Sequence, residues 1–247
     1  MADLRNYQAR VAPAGTRTDA GIDEGLRAYM IKVYNLMALG LAITGVAAFA
    51  TAQMAVSNGQ LTGFGQLIFA SPLRWVIMLA PLGFVFFLSA RIEKMSVSAA
   101  QLTFWAFAAL MGLSLASIFL VFTGESIVRV FFITAASFGG LSLWGYTTKR
   151  DLTGMGSFLF MGLIGLIIAM VVNIFLASSA LQFAISAIGV LIFAGLTAYD
   201  TQKIKEMYWE SDDVLATGRK AIMGALRLYL DFINLFMFML QFLGNRE

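Results

Sequence analysis

The sequence contains neither cysteine nor histidine. Without cysteine there is no disulfide, no thiolate nucleophile and no soft-metal site. Without histidine, a Ser-His intramembrane protease, a zinc protease of the H-E-x-x-H type and a His-ligated haem are all excluded. What remains for ion chemistry is carboxylate, amide, hydroxyl and backbone oxygen, which suits protons and hard cations such as Ca²⁺ or Mg²⁺. Catalysis is the least expected role. No tightly bound cofactor and no nucleic-acid partner are expected.

Charge is also scarce. Only 13% of residues are charged, against about 25% in an ordinary soluble domain. Instead 60% are hydrophobic and the mean hydropathy is +0.81. Stretches 33–73, 95–124 and 152–199 hold no Asp, Glu, Lys or Arg, and each exceeds the roughly 20 residues that cross a bilayer. The expected fold class is therefore an all-α membrane protein lying in the lipid bilayer. Residues 1–24 are polar, with Pro13, Gly15 and scattered Arg, and read as a flexible tail with no signal-peptide pattern. The segment Gly25-Leu-Arg-Ala-Tyr-Met-Ile-Lys32 reads as an amphipathic lead-in, with Tyr29 and Lys32 suited to the interface. Within 25–247, seven spans are expected near 33–54, 74–92, 97–122, 128–147, 157–177, 181–203 and 221–243. Six remain an alternative if the last segment re-enters without crossing.

Lys and Arg favour alternate connections. Arg27 and Lys32 precede the first span, Arg91 and Lys94 follow the second, Lys149 and Arg150 the fourth, and Lys203, Lys205, Arg219 and Lys220 the sixth. The remaining loops hold only Arg74 and Arg129. Basic loops stay on the cytoplasmic side, so the N-terminus is expected inside and, after seven crossings, the C-terminus outside. Gly recurs in Ala38-Leu-Gly40, Phe138-Gly-Gly140, Gly162-Leu-Ile-Gly165 and Gly189 to Gly195. Close helix packing is the first explanation and a hinge in a moving helix the second.

Two carboxylates stand out. Asp200 closes a long apolar segment, and Asp231 lies inside the next. An ionisable group at membrane depth is costly unless paired or wetted, so it points to function. Asp200 lies about 28 Å from the start of its span at Leu181, near the inner interface. If the seventh helix enters lipid close to Arg227, Asp231 reaches the same level. Facing carboxylates would share a proton: protonated they tie two helices together, and deprotonated they repel or recruit Ca²⁺ weakly through oxygen. Structural alternatives stay open. Arg227, at i−4, can pair with Asp231 on a face that also carries Asn234; Asp200 can pair with Lys203; Arg91 can be a positive-inside anchor or a countercharge to Asp200.

The segments Ala194-Gly-Leu-Thr-Ala-Tyr-Asp-Thr-Gln-Lys-Ile204 and Ala225-Leu-Arg-Leu-Tyr-Leu-Asp-Phe-Ile-Asn-Leu-Phe236 resemble the signature of the Bax-inhibitor family. The likeness extends to Gly112-Leu-Ser-Leu-Ala-Ser-Ile-Phe119 and Gly139-Gly-Leu-Ser-Leu-Trp-Gly-Tyr-Thr-Thr-Lys-Arg-Asp-Leu152. The resemblance implies a seven-helix bundle whose last helix is enclosed by the other six. It also implies a pH-sensitive Ca²⁺ leak gated by Asp200 and Asp231, and an arginine of the second span, for which Arg91 is the nearest match, pairing with the sixth-span aspartate. A bacterial inner membrane is the expected location, since no eukaryotic retention or lipidation motif is present. Two competing classes stand beside the channel. One is a non-conducting regulator that binds a membrane protease or a stress or cell-death partner; the other is a proton-coupled transporter, which needs more mid-membrane polarity than Ser142 and Asn173 supply.

Overall fold

A computed structural model describes residues 14–245. Seven long helices follow one another: α1 Ala14–Ala55, α2 Leu73–Arg91, α3 Val97–Leu115, α4 Gly124–Thr147, α5 Thr153–Leu176, α6 Ser179–Glu206 and α7 Val214–Leu243. All seven are long and apolar enough to cross a membrane, and they coincide with the expected spans. Apart from α1, which begins at Ala14 and not near 33, their ends differ by up to seven residues, and polar caps, not the limits of charge, set several of the starts. Ser96, Thr123 and Ser178 accept hydrogen bonds through their hydroxyls from Ala99, Ser126 and Leu181 N–H at 3.2, 3.2 and 3.3 Å. Asp213 accepts from Ala216 N–H at 2.6 Å, starting α7 seven residues ahead of the expected Ala221. Of the expected tail, residues 1–13 lie outside the described residues, and from Ala14 the backbone is already helical and runs into the first span.

Removing the α7 cap tests this account. Asp213→Ala should lower the melting temperature by about 2–4 °C, the effect of a lost N-cap of about 1 kcal/mol, and Asp213→Ser should restore it.

The α1–α2 connection carries a small hairpin, β1 Val56–Ser57 against β2 Gln60–Leu61. Its two-residue turn is Asn58-Gly59, both with positive φ (50° and 74°), the pairing that such tight turns favour. A helical turn Gly63–Gly65 capped by Thr62 and a π-helical turn Gln66–Ala70 lead into α2. Short 3-10 turns extend α2 to Lys94 and α3 to Leu120.

Helix α7 is the centre of the bundle. It packs against α1, α3, α4 and α6, and 72% of its most apolar stretch is buried, against 11–39% for the other six spans. The enclosed last helix implied by the resemblance is thus present. Leu226, Leu228, Tyr229, Leu235 and Leu240 are essentially inaccessible. Tyr229 is packed edge-on by Phe104 and Phe107, with centroids 5.8 and 5.3 Å away. Its hydroxyl meets Thr44 Oγ1 at 2.6 Å, and Thr44 in turn lies 2.8 Å from the Ala108 carbonyl, so the buried polar atoms are satisfied.

Between spans, lipid is as apolar as leucine, so association depends on close packing. Gly112 of α3 lies against Thr44 and Ala47 of α1, Gly145 of α4 against the Ala198 backbone of α6, and Gly189 of α6 against the Phe238 ring. Gly40 and Gly195 are likewise close to Phe104 and Leu159, whereas Gly139, Gly140 and Gly165 face open space. Beside Gly145, Ser142 bridges Tyr34 of α1 (2.7 Å) and Thr201 of α6 (2.8 Å) through hydroxyl hydrogen bonds.

The two ends of the bundle differ in chemistry. At the end bearing most Lys and Arg, Lys205 donates to the Tyr146 carbonyl, Arg219 to the Met95 carbonyl and Gln202 to the Arg150 carbonyl, each at 2.8 Å. Asp151, exposed in the α4–α5 loop, accepts from Thr153 N–H at 2.8 Å; hydrogen bonds from the Thr153 side chain and backbone hold its carboxyl below the usual carboxylate range. At the opposite end Thr123 and Ser126 tie down Asn245, and there the side chains that meet are neutral amides.

Candidate functional site

Asp200 stands six residues before the C-terminal end of α6, about 9 Å from it. Asp231 lies on the enclosed helix, α7. The carboxyl groups of the two residues face one another within interacting distance, and Arg227 is the cation acting on both. Asp231 is only 5% exposed, and its Oδ2 is buried without a hydrogen-bond partner. Asp200 is half-buried. The two line one cavity of about 500 Å³, shared with Arg227, Asn234 and Gln241 and walled by Phe160, Leu163 and other apolar side chains. Such a wall lowers the local dielectric, so a charge on either carboxylate is felt strongly by the other.

The two ion pairs raised as alternatives, Arg227–Asp231 and Lys203–Asp200, do not form. Among the described residues the ion pairs are Lys203–Glu206 at 2.8 Å and Lys220–Asp212. Lys203 is thus engaged with Glu206 and lies over the Tyr199 ring, away from Asp200. Arg227, although at i−4 from Asp231, makes no close pair with it and is itself exposed. Asn234 shares the cavity, and its Nδ2 donates to the Leu230 carbonyl at 2.8 Å. Arg91 lies elsewhere: it is exposed at the end of α2 and outside the cavity. Arg227, and not Arg91, lines the cavity beside the aspartates.

Two groups of residues depart from the sequence reading: one sits elsewhere than expected, and the other was not singled out. Tyr29, expected at the interface, is 3% exposed and stacked at 5.6 Å on Tyr208 of the α6–α7 loop, with its hydroxyl buried and unpartnered. The apolar spacing Leu26, Tyr29, Met30, Val33 is the signal for this burial, since i, i+3, i+4, i+7 marks a core-facing stripe. Gln182 and Gln241 are the second group: they meet at 2.8 Å across α6 and α7. Gln241 falls ten residues after Asp231, on the same helical face.

Two carboxylates and two amides in one cavity can bind and release a proton, or lend oxygens to a passing hard cation. They are too few for tight Ca²⁺ capture, which takes six to eight oxygens. Among the described residues no cluster of three or more His, Cys, Asp or Glu is arranged to hold a metal.

Comparison with known proteins agrees with this architecture. Residues 26–247 match the family model described as "Inhibitor of apoptosis-promoting Bax1". An uncharacterized protein of Rickettsia prowazekii is 50% identical over 94% of this chain and 95% of its own. One from Caulobacter vibrioides is 47% identical over the whole of both chains. The inner membrane protein YbhL of Escherichia coli is 45% identical over 90% of this chain and 94% of its own.

Proposed function

The chain belongs to the Bax-inhibitor family, and from that premise we propose that it is a pH-sensitive cation leak of a bacterial inner membrane, with Ca²⁺ as permeant ion and Asp200 and Asp231 as its gate. The observation that carries this reading is the buried, unpartnered Oδ2 of Asp231 in the cavity it shares with Asp200. An acceptor left empty at that depth is costly. A proton between the two carboxyls relieves the cost, and so does a cation.

The sign of the pH dependence follows. With one proton between them the carboxyls hydrogen-bond and hold α6 to α7. Without it they repel, and their oxygens become ligands. Flux therefore rises with pH and falls toward acid. The weak ligand count favours passage over storage. In this reading the aspartates lie near the cytoplasmic side, with the N-terminus inside and the C-terminus outside, which the distribution of Lys and Arg supports. No nucleophile with an adjacent base is needed in this scheme.

The test is Ca²⁺ entry into proteoliposomes of the purified protein, scanned across about pH 5 to 8. The expected result is a flux above that of empty liposomes that grows by roughly an order of magnitude as a single proton is lost. Folded protein with no flux at any pH would remove the channel and leave the non-conducting regulator, whose partner is a membrane protease or another membrane protein.

A further inference from the structure

The cavity that holds the aspartates does not stop at them. Asp231, Asn234 and Gln241 lie at offsets of three and ten residues on one face of α7, and all three line it. Gln241 is about 15 Å along the helix from Asp231, toward the end that lacks basic loops. There the cavity meets a chain of side-chain amides. Gln241 Oε1 accepts from Gln182 Nε2 of α6 at 2.8 Å, with Ser186 Oγ 3.4 Å away. Gln182 Oε1 accepts from Asn173 Nδ2 of α5 at 3.1 Å. Asn173 Oδ1 accepts from Ser178 N–H at 3.0 Å, in the turn that joins α5 to α6.

A bond between α5 and α6 alone would be a brace. Here the last member stands on the buried central helix and lines the cavity, so the same bonds tie α5 and α6 to the end of the cavity. Each of the three amide oxygens accepts a hydrogen bond from its neighbour, Asn173 Oδ1 from Ser178 N–H, Gln182 Oε1 from Asn173 and Gln241 Oε1 from Gln182, so none is turned to an ion. Once broken, the chain of amides presents three neutral oxygens, Asn173 Oδ1, Gln182 Oε1 and Gln241 Oε1, which are the donors a partly dehydrated hard cation accepts. The outer element is also the one best placed to move. Helix α5 is the least buried span and packs chiefly along α6.

We propose that Asn173, Gln182 and Gln241 form a second gate and a neutral-oxygen cation subsite at the mouth opposite the aspartates, shut in the present conformation by their mutual hydrogen bonds. The cation part rests on the conduction proposed above; the closure of the mouth does not.

The absence of cysteine permits a test that separates the two. A single Asn234→Cys reporter, inside the cavity beyond the amides, is exposed to a membrane-impermeant maleimide. The reagent is added on the side from which a separate Ser179→Cys reporter, at the exposed first residue of α6, is labelled. Adding Gln182→Leu or Asn173→Ala should speed labelling of Asn234→Cys about tenfold, the scale expected when one interhelical hydrogen bond holds the closed state. Each substitution alone should raise Ca²⁺ flux about fivefold at fixed pH while leaving its pH dependence in place. If neither variant changes labelling, with Ser179→Cys labelled normally, the gate is overturned. If labelling accelerates while wild type and variants carry no Ca²⁺, the gate stands, and the cation subsite falls with the channel.

Discussion

Asp231→Asn should flatten the pH dependence of Ca²⁺ flux and hold it near its acid level, a loss of at least about tenfold at alkaline pH if a single proton controls the gate. Asparagine keeps the shape of aspartate but cannot ionise. The repulsion that frees α6 from α7 is then gone, and an amide donor remains in reach of Asp200. Asp200→Asn should flatten the profile too. Its effect should be smaller, because Asp200 is half-buried while Asp231 is 5% exposed with one oxygen unpartnered. Thermal melting supplies a second readout: Asp231→Asn should gain stability over wild type at alkaline pH, where wild type holds two facing charges, and the gain should vanish in acid. A full wild-type pH profile in both variants would take the aspartates out of the gate.

Stability should respond strongly to a single methyl group at Gly145. A Cβ there would overlap the Ala198 carbonyl oxygen, and that backbone is fixed by α6. Overpacking of this kind costs about 1–3 kcal/mol or more, so Gly145→Ala should lower the melting temperature on the order of 5–10 °C. Gly140→Ala, five residues earlier on the same helix, meets nothing within 4 Å. It should leave the temperature unchanged or raise it slightly, since alanine is the better helix former by up to about 1 kcal/mol. Equal effects from the two substitutions would mean that α4 and α6 are not held by close approach. Gly145 also lies one turn from the Ser142–Thr201 bond and so helps to position α6, next to Asp200.

The seven spans were legible in the sequence because each needs only a local run of apolar residues, and runs are additive along a chain. The aspartates were legible for the opposite reason, as charges out of place. That α7 is the enclosed helix was not readable from its apolar run. It came from the resemblance, since burial depends on which helices surround a span. The start of α7 was missed because Asp213 caps it while still outside the apolar zone. Arg227 was read as a partner on the helix of Asp231, yet it acts on Asp200 as well, a relation between helices that spacing along one helix does not contain. The contact of Gln182 with Gln241, 59 residues apart, has the same origin: glutamine is unremarkable at a helix end until a second one faces it.

The central position of α7 has a consequence for assembly. It carries Arg219, Lys220, Arg227 and Asp231, so it is poorly suited to enter lipid unaided, and it follows the other six helices in the order of synthesis. While the ribosome is still working, those six have no centre to close upon. Their inner faces, Phe104 and Phe107 among them, must wait exposed to lipid or to a chaperone for a helix that they in turn make able to cross. Biogenesis of this bundle is therefore completed by its least self-sufficient part, and a premature stop that removes α7 would leave a membrane-inserted shell with no core for quality control to recognise as folded.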